Sequence, residues 1–246
     1  MVREMESLDD LNLKGYKIIQ PESGFKFGID AVLIANFVRP RQNEVGVDLG
    51  SGSGIIPVII AAKSKAAKII GVEIQKEAWD ASVRTAALNG LEGRIEFLHH
   101  DIKSIAEILP GHSYDFVISN PPYYKVDTLA SPNNQKNIAR HEMLINHKEI
   151  LEAAAYLLKQ KKPFYMINKP ERLVELIEDG RKLGLEPKEI QFVHPNASKP
   201  PNLVLLKYVK GGKTGLKYHP PLFVYDKNGG YTQQIKYIYE NDCIGE

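Results

Sequence analysis

From Val45 onward the chain alternates apolar, strand-like runs with helical patterns, and this alternation limits the fold more than any other feature. "EVGVDLG" reads as a buried strand and "GIIPVIIAAKSK" as the helix after it. "AKIIGVEI" and "GRIEFLHHD" are further strands, separated by the helical "QKEAWDASVRTAALNGL". "IKSIAEIL" predicts a short helix, "YDFVISN" a strand, "NHKEILEAAAYLLKQ" a helix, "KPFYMIN" a strand and "PERLVELIEDGRKLGL" a helix. Such alternation demands a doubly wound α/β sheet with right-handed crossovers. "EIQFVHP" and "NLVLLKYVK" have no helix between them, so they are expected to pair antiparallel as a hairpin at the sheet edge. The expectation is a mostly parallel sheet of seven strands in one domain.

The core then spans 45–210. Residues 1–44 form a lead-in, whose "GYKIIQPESGFKFGIDAVLIANFVR" reads as a hairpin or lid running into a helix from Asp30. Residues 211–246 form an extension rich in Tyr and Lys, with turn signals at "HPP" and "NGG". Cys243 is the single cysteine, which excludes an internal disulfide framework and a Cys-rich zinc site. His99, His100, His194 and His219 lack metal-site spacing, so no metal is expected. The acidic N-terminus has no apolar core of a signal peptide, and no apolar run reaches membrane-spanning length. A cytoplasmic enzyme or binding protein is expected, with no membrane partner.

"VDLGSGSG" places Asp48, Gly50, Gly52 and Gly54 where the first core strand turns into a helix. Glycines there permit a tight turn and close approach of a ligand, although a plain strand-to-helix turn explains many such matches. The next strand ends in Glu73, where a carboxylate can accept from ribose hydroxyls. That suits a nicotinamide dinucleotide or S-adenosylmethionine. Asp48 favours the second, because a carboxylate beside the loop attracts a cationic amino-acid end and repels a pyrophosphate. Asp101, at the end of "HHD", is placed either to meet an adenine amine or to cap the following helix.

The run "VISNPPYY" ends an apolar strand with Asn120, Pro121, Pro122 and Tyr123. Prolines cannot donate to a ladder, so the strand stops, and the residue before each proline is held extended. An exocyclic amine carries two N–H groups and is a poor nucleophile. The Asn120 amide oxygen and the Pro121 carbonyl can accept one N–H each, while the Tyr123 ring offers a face for a planar group. That role uses the ring, so phenylalanine at 123 is expected to serve.

"DLGSGSG", "VEI", "HHD" and "SNPPYY" together resemble the class I S-adenosylmethionine-dependent methyltransferases that modify amino groups. The lead-in "FKFGIDAVLIANF" and the tail "PPLFVYDKNGGYTQQIKYIY" resemble the small-domain members related to bacterial enzymes methylating N6 of adenine 37 in a valine tRNA. The resemblance implies a Rossmann-like methyltransferase fold and S-adenosylmethionine bound by Asp48, Gly50, Gly52, Gly54, Glu73, Asp101 and Asn120. It implies catalysis by Asn120, Pro121, Pro122 and Tyr123, and a lid over the site that includes Phe27 and Asp30. The expected substrate is an adenine in RNA, with tRNA as partner. "NPPY" is shared with enzymes acting on guanine N2 and on glutamine side-chain amides, so these stay as alternatives. The short lead-in argues against the glutamine enzymes, which carry a substantial helical domain before the core.

Arg140, His141 and Glu142 lie in a polar stretch expected at the mouth of the site. Lys159, Lys161, Lys162, Lys199, Lys207, Lys210, Lys213, Lys217 and Tyr218 suit RNA, although a charge run is more often a solvated face. A net charge of +2 permits RNA binding without requiring it.

Overall fold

The computed structural model describes residues 2–21, 28–123 and 146–240. It opens with an antiparallel hairpin, β1 (Glu6–Asp10) and β2 (Lys17–Pro21), followed by helix α1 (Ile29–Phe37). The alternating core follows: β3 (Val45–Leu49), α2 (Ile55–Lys63), β4 (Lys68–Glu73), α3 (Lys76–Leu88) and β5 (Ile95–His99). Then come β6 (Phe116–Ser119), α4 (His147–Leu157), β7 (Pro163–Asn168), α5 (Leu173–Lys182), β8 (Leu185–His194) and β9 (Leu203–Lys210). The extension contributes β10 (Lys217–Tyr218), β11 (Leu222–Phe223) and α6 (Gln233–Glu240).

In the central sheet β8, β9, β7, β6, β3, β4 and β5 lie side by side in that order. β3 to β7 run parallel, and β9 is antiparallel to both β7 and β8. The chain winds outward from β3 through β4 to β5, then returns to place β6 on the other side of β3. That reversal opens a crevice between the C-terminal ends of β3 and β6.

Both faces of the sheet are buried, and the strands alternate between them. Phe116, Ile118, Tyr165, Ile167, Leu203 and Leu205 join the core under α1 and α2. Val117, Phe164, Met166, Val204 and Leu206 join the core under α4 and α5. Helix α1 is apolar almost all round and is buried from Asp30 to Phe37, as a helix with no polar face must be. The start of α4 was legible from "NHKE": Asn146 accepts from the Lys148 and Glu149 N–H groups, and Glu149 reaches back to the Asn146 N–H.

Three expectations need correction. Among the described residues the sheet has nine strands rather than seven, because β10 and β11 pair parallel with the outer edge of β8. Pro220 and Pro221 separate the two short strands, since neither can donate to a ladder. "IKSIAEIL" is a 3-10 turn over Ile102–Glu107, which suits its two buried isoleucines three residues apart. β8 begins at Leu185, earlier than expected, because a register shift between Pro187 and Glu189 absorbs the proline. The described part of the tail also carries helix α6, whose Ile235 is buried and whose Ile238 carbonyl accepts from Lys63 Nζ at 2.6 Å.

Among the described residues no helix is long and apolar enough to cross a membrane.

Candidate active site

The crevice is built where the β3 and β6 ends are tied together. Ser119 Oγ donates to the Leu49 carbonyl at 2.9 Å, so the glycine loop and the Asn120 corner leave the sheet side by side. The loop itself is anchored on β4: the N–H groups of Gly50 and Ser51 donate to the Val72 carbonyl at 2.9 and 3.1 Å. Gly50 and Gly52 have φ values of 77° and 54°, and a Cβ at either would meet nothing within 4 Å. Here the glycines serve a left-handed turn facing open space. Gly54, with φ 86°, has a second reason as well: a Cβ there would lie 2.5 Å from the Phe97 ring.

Asp48 is fully buried at the end of β3. Neither of its carboxylate oxygens, nor Ser51 Oγ, has a hydrogen-bond partner among the described residues. Buried polar groups are ordinarily paired, so two orphan oxygens on one carboxyl point to a missing cationic or N–H-bearing partner. Burial, reinforced by the nearby Glu73 charge, pushes the Asp48 carboxyl up to about 8.

Glu73, at the end of β4, is placed differently. Its Oε2 accepts from Gly52 N–H and its Oε1 from Gln75 N–H, both at 2.8 Å. It pins the loop to the start of α3 and keeps lone pairs for a ligand hydroxyl. Burial raises its pKa, against the opposing pull of the backbone N–H groups of Gln75, Gly52 and Ile74. Asp101 does cap its turn: Oδ1 accepts from the Lys103 N–H at 2.9 Å. Orphaned Asp48, the open glycine loop and Glu73 together fit a ligand with a cationic end and a hydroxylated ring, such as S-adenosylmethionine.

On the β6 side, Asn120 and Tyr123 converge on a residue from the lead-in. Asp30, in the first turn of α1, accepts from Asn120 Nδ2 and from the Tyr123 hydroxyl, each at 3.1 Å. The same hydroxyl also lies against Asn120 Oδ1, so its single proton is shared between the two acceptors. The expectation that this hydroxyl would be idle is therefore corrected. Burial first, and then the Asp30 charge and hydrogen bond, hold the hydroxyl pKa well above its usual value, so it stays a donor. Lys169, just beyond β7, sits with Nζ 5.1 Å from the centre of the Tyr123 ring. Sequence reasoning missed Lys169. It placed Asp30 in a lid, whereas the structure sets it behind the corner, only 7% exposed. Phe27, Arg140, His141 and Glu142 lie outside the described residues.

The methyltransferase small domain family matches this chain over residues 28–167. The chain belongs to that family. It is an S-adenosylmethionine-dependent methyltransferase. Its relatives include a tRNA1(Val) (adenine(37)-N6)-methyltransferase of Pedobacter heparinus, 27% identical over 227 residues, which covers 92% of this chain and 94% of that one. A protein of the same name from Proteus mirabilis is 25% identical over 226 residues, covering 91% and 89%. Among solved structures, a predicted O-methyltransferase from Agrobacterium tumefaciens superposes with a TM-score of 0.72 at 21% identity, covering 87% of this chain and 97% of that one. At that identity the likeness speaks for the fold alone.

The lysines of the sequence pattern divide. Lys159 and Lys162 pair with Asp115, Lys162 also with Glu44, and Lys207 with Glu189. Lys210 is buried, donating to the Ala155 and Leu158 carbonyls, and burial lowers its pKa. These four are part of the fold's own bonding. Lys199, Lys213, Lys217 and Tyr218 are exposed. Of these, Lys199 lies in the β8–β9 loop, at the same end of the sheet as Asn120, and Lys169 Nζ donates to Asn202 of that loop at 3.3 Å.

Proposed function

We propose that this methyltransferase modifies an exocyclic amine of a nucleobase in RNA, and specifically N6 of an adenine in tRNA. The observation that carries the reading is the Asn120–Tyr123 corner opening beside the glycine loop, with a lysine over the Tyr123 ring. The names of relatives that span nearly the whole chain support adenine and tRNA. The work takes place in the cytoplasm, where tRNA is found.

When bound, S-adenosylmethionine supplies a methyl group already activated by a positive sulfur. Asp48 would hold its cationic end, Glu73 its ribose hydroxyls and Asp101 its adenine amine. The protein's remaining task is to place and polarise the accepting nitrogen. Asn120 Oδ1 takes one N–H of the amine and the Pro121 carbonyl the other, which turns the nitrogen lone pair away from the ring. An amide oxygen has two lone pairs, so Oδ1 can serve the amine while keeping the Tyr123 hydroxyl. Tyr123 bounds the base, and Lys169 supplies a positive charge at the rim for a phosphate. Catalysis on this reading is positioning and electrostatics without a strong base.

Methyl transfer from labelled S-adenosylmethionine into unmodified valine tRNA, followed by nucleoside analysis, tests the reading. N6-methyladenosine is the expected product. Label in guanosine, or in protein glutamine with none in RNA, would replace the substrate. Binding should also weaken as salt rises, because each lysine–phosphate contact releases counterions. The charge reversals Lys169→Glu and Lys199→Glu are expected to raise the KM for tRNA by about tenfold and flatten the salt dependence, leaving cofactor affinity unchanged. Reversals at Lys213 and Lys217, alongside the earlier part of β8, should matter less. A KM that ignores the rim pair would remove Lys169 and Lys199 from the RNA surface.

A further inference from the structure

An asparagine that grips an amine must face it with its oxygen. The two ends of a carboxamide differ only in being acceptor or donor, and a flipped Asn120 would meet the substrate N–H groups with its own NH2. Nothing in an Asn-Pro-Pro corner alone forbids that flip.

The answer lies ninety residues away in sequence. Asp30 projects from the first turn of α1, a helix buried along its length. A carboxylate accepts hydrogen bonds and cannot donate them, so the group it takes from Asn120 must be Nδ2. Oδ1 is then left to point the other way. The single proton of the Tyr123 hydroxyl is shared between Asp30 Oδ2 and Asn120 Oδ1, which closes a three-residue ring of contacts. The Asn120–Asp30 contact becomes unfavourable if the amide turns over, because an oxygen would then oppose the carboxylate. Space for the carboxylate is built in as well: a Cβ at Gly28 would stand 2.6 Å from Asp30 Oδ1. The helix N-terminus adds a favourable field for a negative group.

We propose that Asp30 is a positioning residue that fixes the polarity of the Asn120 amide, holding Nδ2 back and presenting Oδ1 to the substrate amine. This rests on the catalytic role given to Asn120 above. It assigns the lead-in helix a task in catalysis that does not pass through the cofactor.

The test is a double-mutant cycle read in single-turnover methyl transfer to unmodified valine tRNA. Asp30→Asn can offer its partner either a donor or an acceptor, so the amide of Asn120 is released. A rate loss of at least tenfold is expected, with cofactor affinity and KM for tRNA near wild type. In an Asn120→Ala background the same change should cost almost nothing, because Asp30 acts through Asn120. A merely structural role would instead give equal losses in both backgrounds, and that result would overturn the proposal. So would a near-normal rate for Asp30→Asn while Asn120→Ala is slow, which leaves the reading of the corner intact. A near-normal rate for Asn120→Ala defeats both. Tyr123→Phe removes a donor from the same carboxylate without touching α1, so it keeps the test available if Asp30→Asn folds poorly. It should be several-fold slower than wild type alone and silent beside Asn120→Ala.

Discussion

Asn120→Ala is expected to lower the single-turnover methyl-transfer rate by about a hundredfold or more, the usual loss when one preorganised polar partner is taken from a transition state. Cofactor affinity should stay within about twofold, because the amide oxygen is aimed at the accepting nitrogen. Asn120 makes its described contacts through its own side chain with Asp30 and Tyr123, neither of which belongs to the sheet. A stiff turn with no chemical role would give the opposite order. Asn120→Ala would then turn over normally, and only loss of Pro121 or Pro122 would matter, through stability. Melting temperature and rate, measured on the same preparations, separate the two.

Asp48→Asn should have the second largest effect, on binding. Removing a charged partner from a buried hydrogen bond costs roughly 1.5–3 kcal/mol, so cofactor affinity should fall about tenfold or more. The effect on the free protein should run the other way. Asp48 is raised from 3.8 to about 8 in the folded protein, so the folded state holds this proton more tightly than the unfolded one. Its contribution is therefore fully present below the unfolded value and is lost as pH rises through about 8. The cofactor-free Asn variant should consequently melt no lower than wild type at neutral pH, and higher at pH about 9. The same reasoning makes binding proton-linked. A cation arriving beside Asp48 favours the carboxylate, so a proton is released and affinity rises as pH climbs toward about 8. Calorimetry in two buffers of different ionisation enthalpy reads that proton directly. No proton release, with unchanged affinity for Asp48→Asn, would remove Asp48 from the site.

What the sequence made legible was whatever is local. The glycine loop, the acid at the end of β4 and the Asn-Pro-Pro corner each occupy a few consecutive residues. The doubly wound order then brings the ends of β3 and β6 together without further information. The contact between Asp30 and Asn120 was not legible, because it joins the first turn of one helix to the end of a distant strand. Its only trace was an acid opening an otherwise apolar helix. Tyr123 was read for its ring because a sequence shows which group is present and not where its hydroxyl lands. Nor could charge counting separate Lys210, buried against carbonyls, from Lys199, which is exposed. The two-residue strands of the tail are too short to carry any period.

Those two strands have a use of their own. A sheet's last strand carries backbone groups that another chain can adopt. Here the His219 N–H donates to the Ile190 carbonyl and the Val224 N–H to the His194 carbonyl, each at 2.9 Å, so the chain's own tail fills that role along β8. Shortening the protein at Lys210 would strip away this selvedge and offer β8 as a template to the next copy. Such a fragment should gather into larger species as its concentration rises, visible by size-exclusion chromatography, where the full chain keeps a constant size. For anyone trimming the enzyme to a minimal unit, the tail that covers β8 and lends Val224 and Ile235 to the core belongs on the retained side.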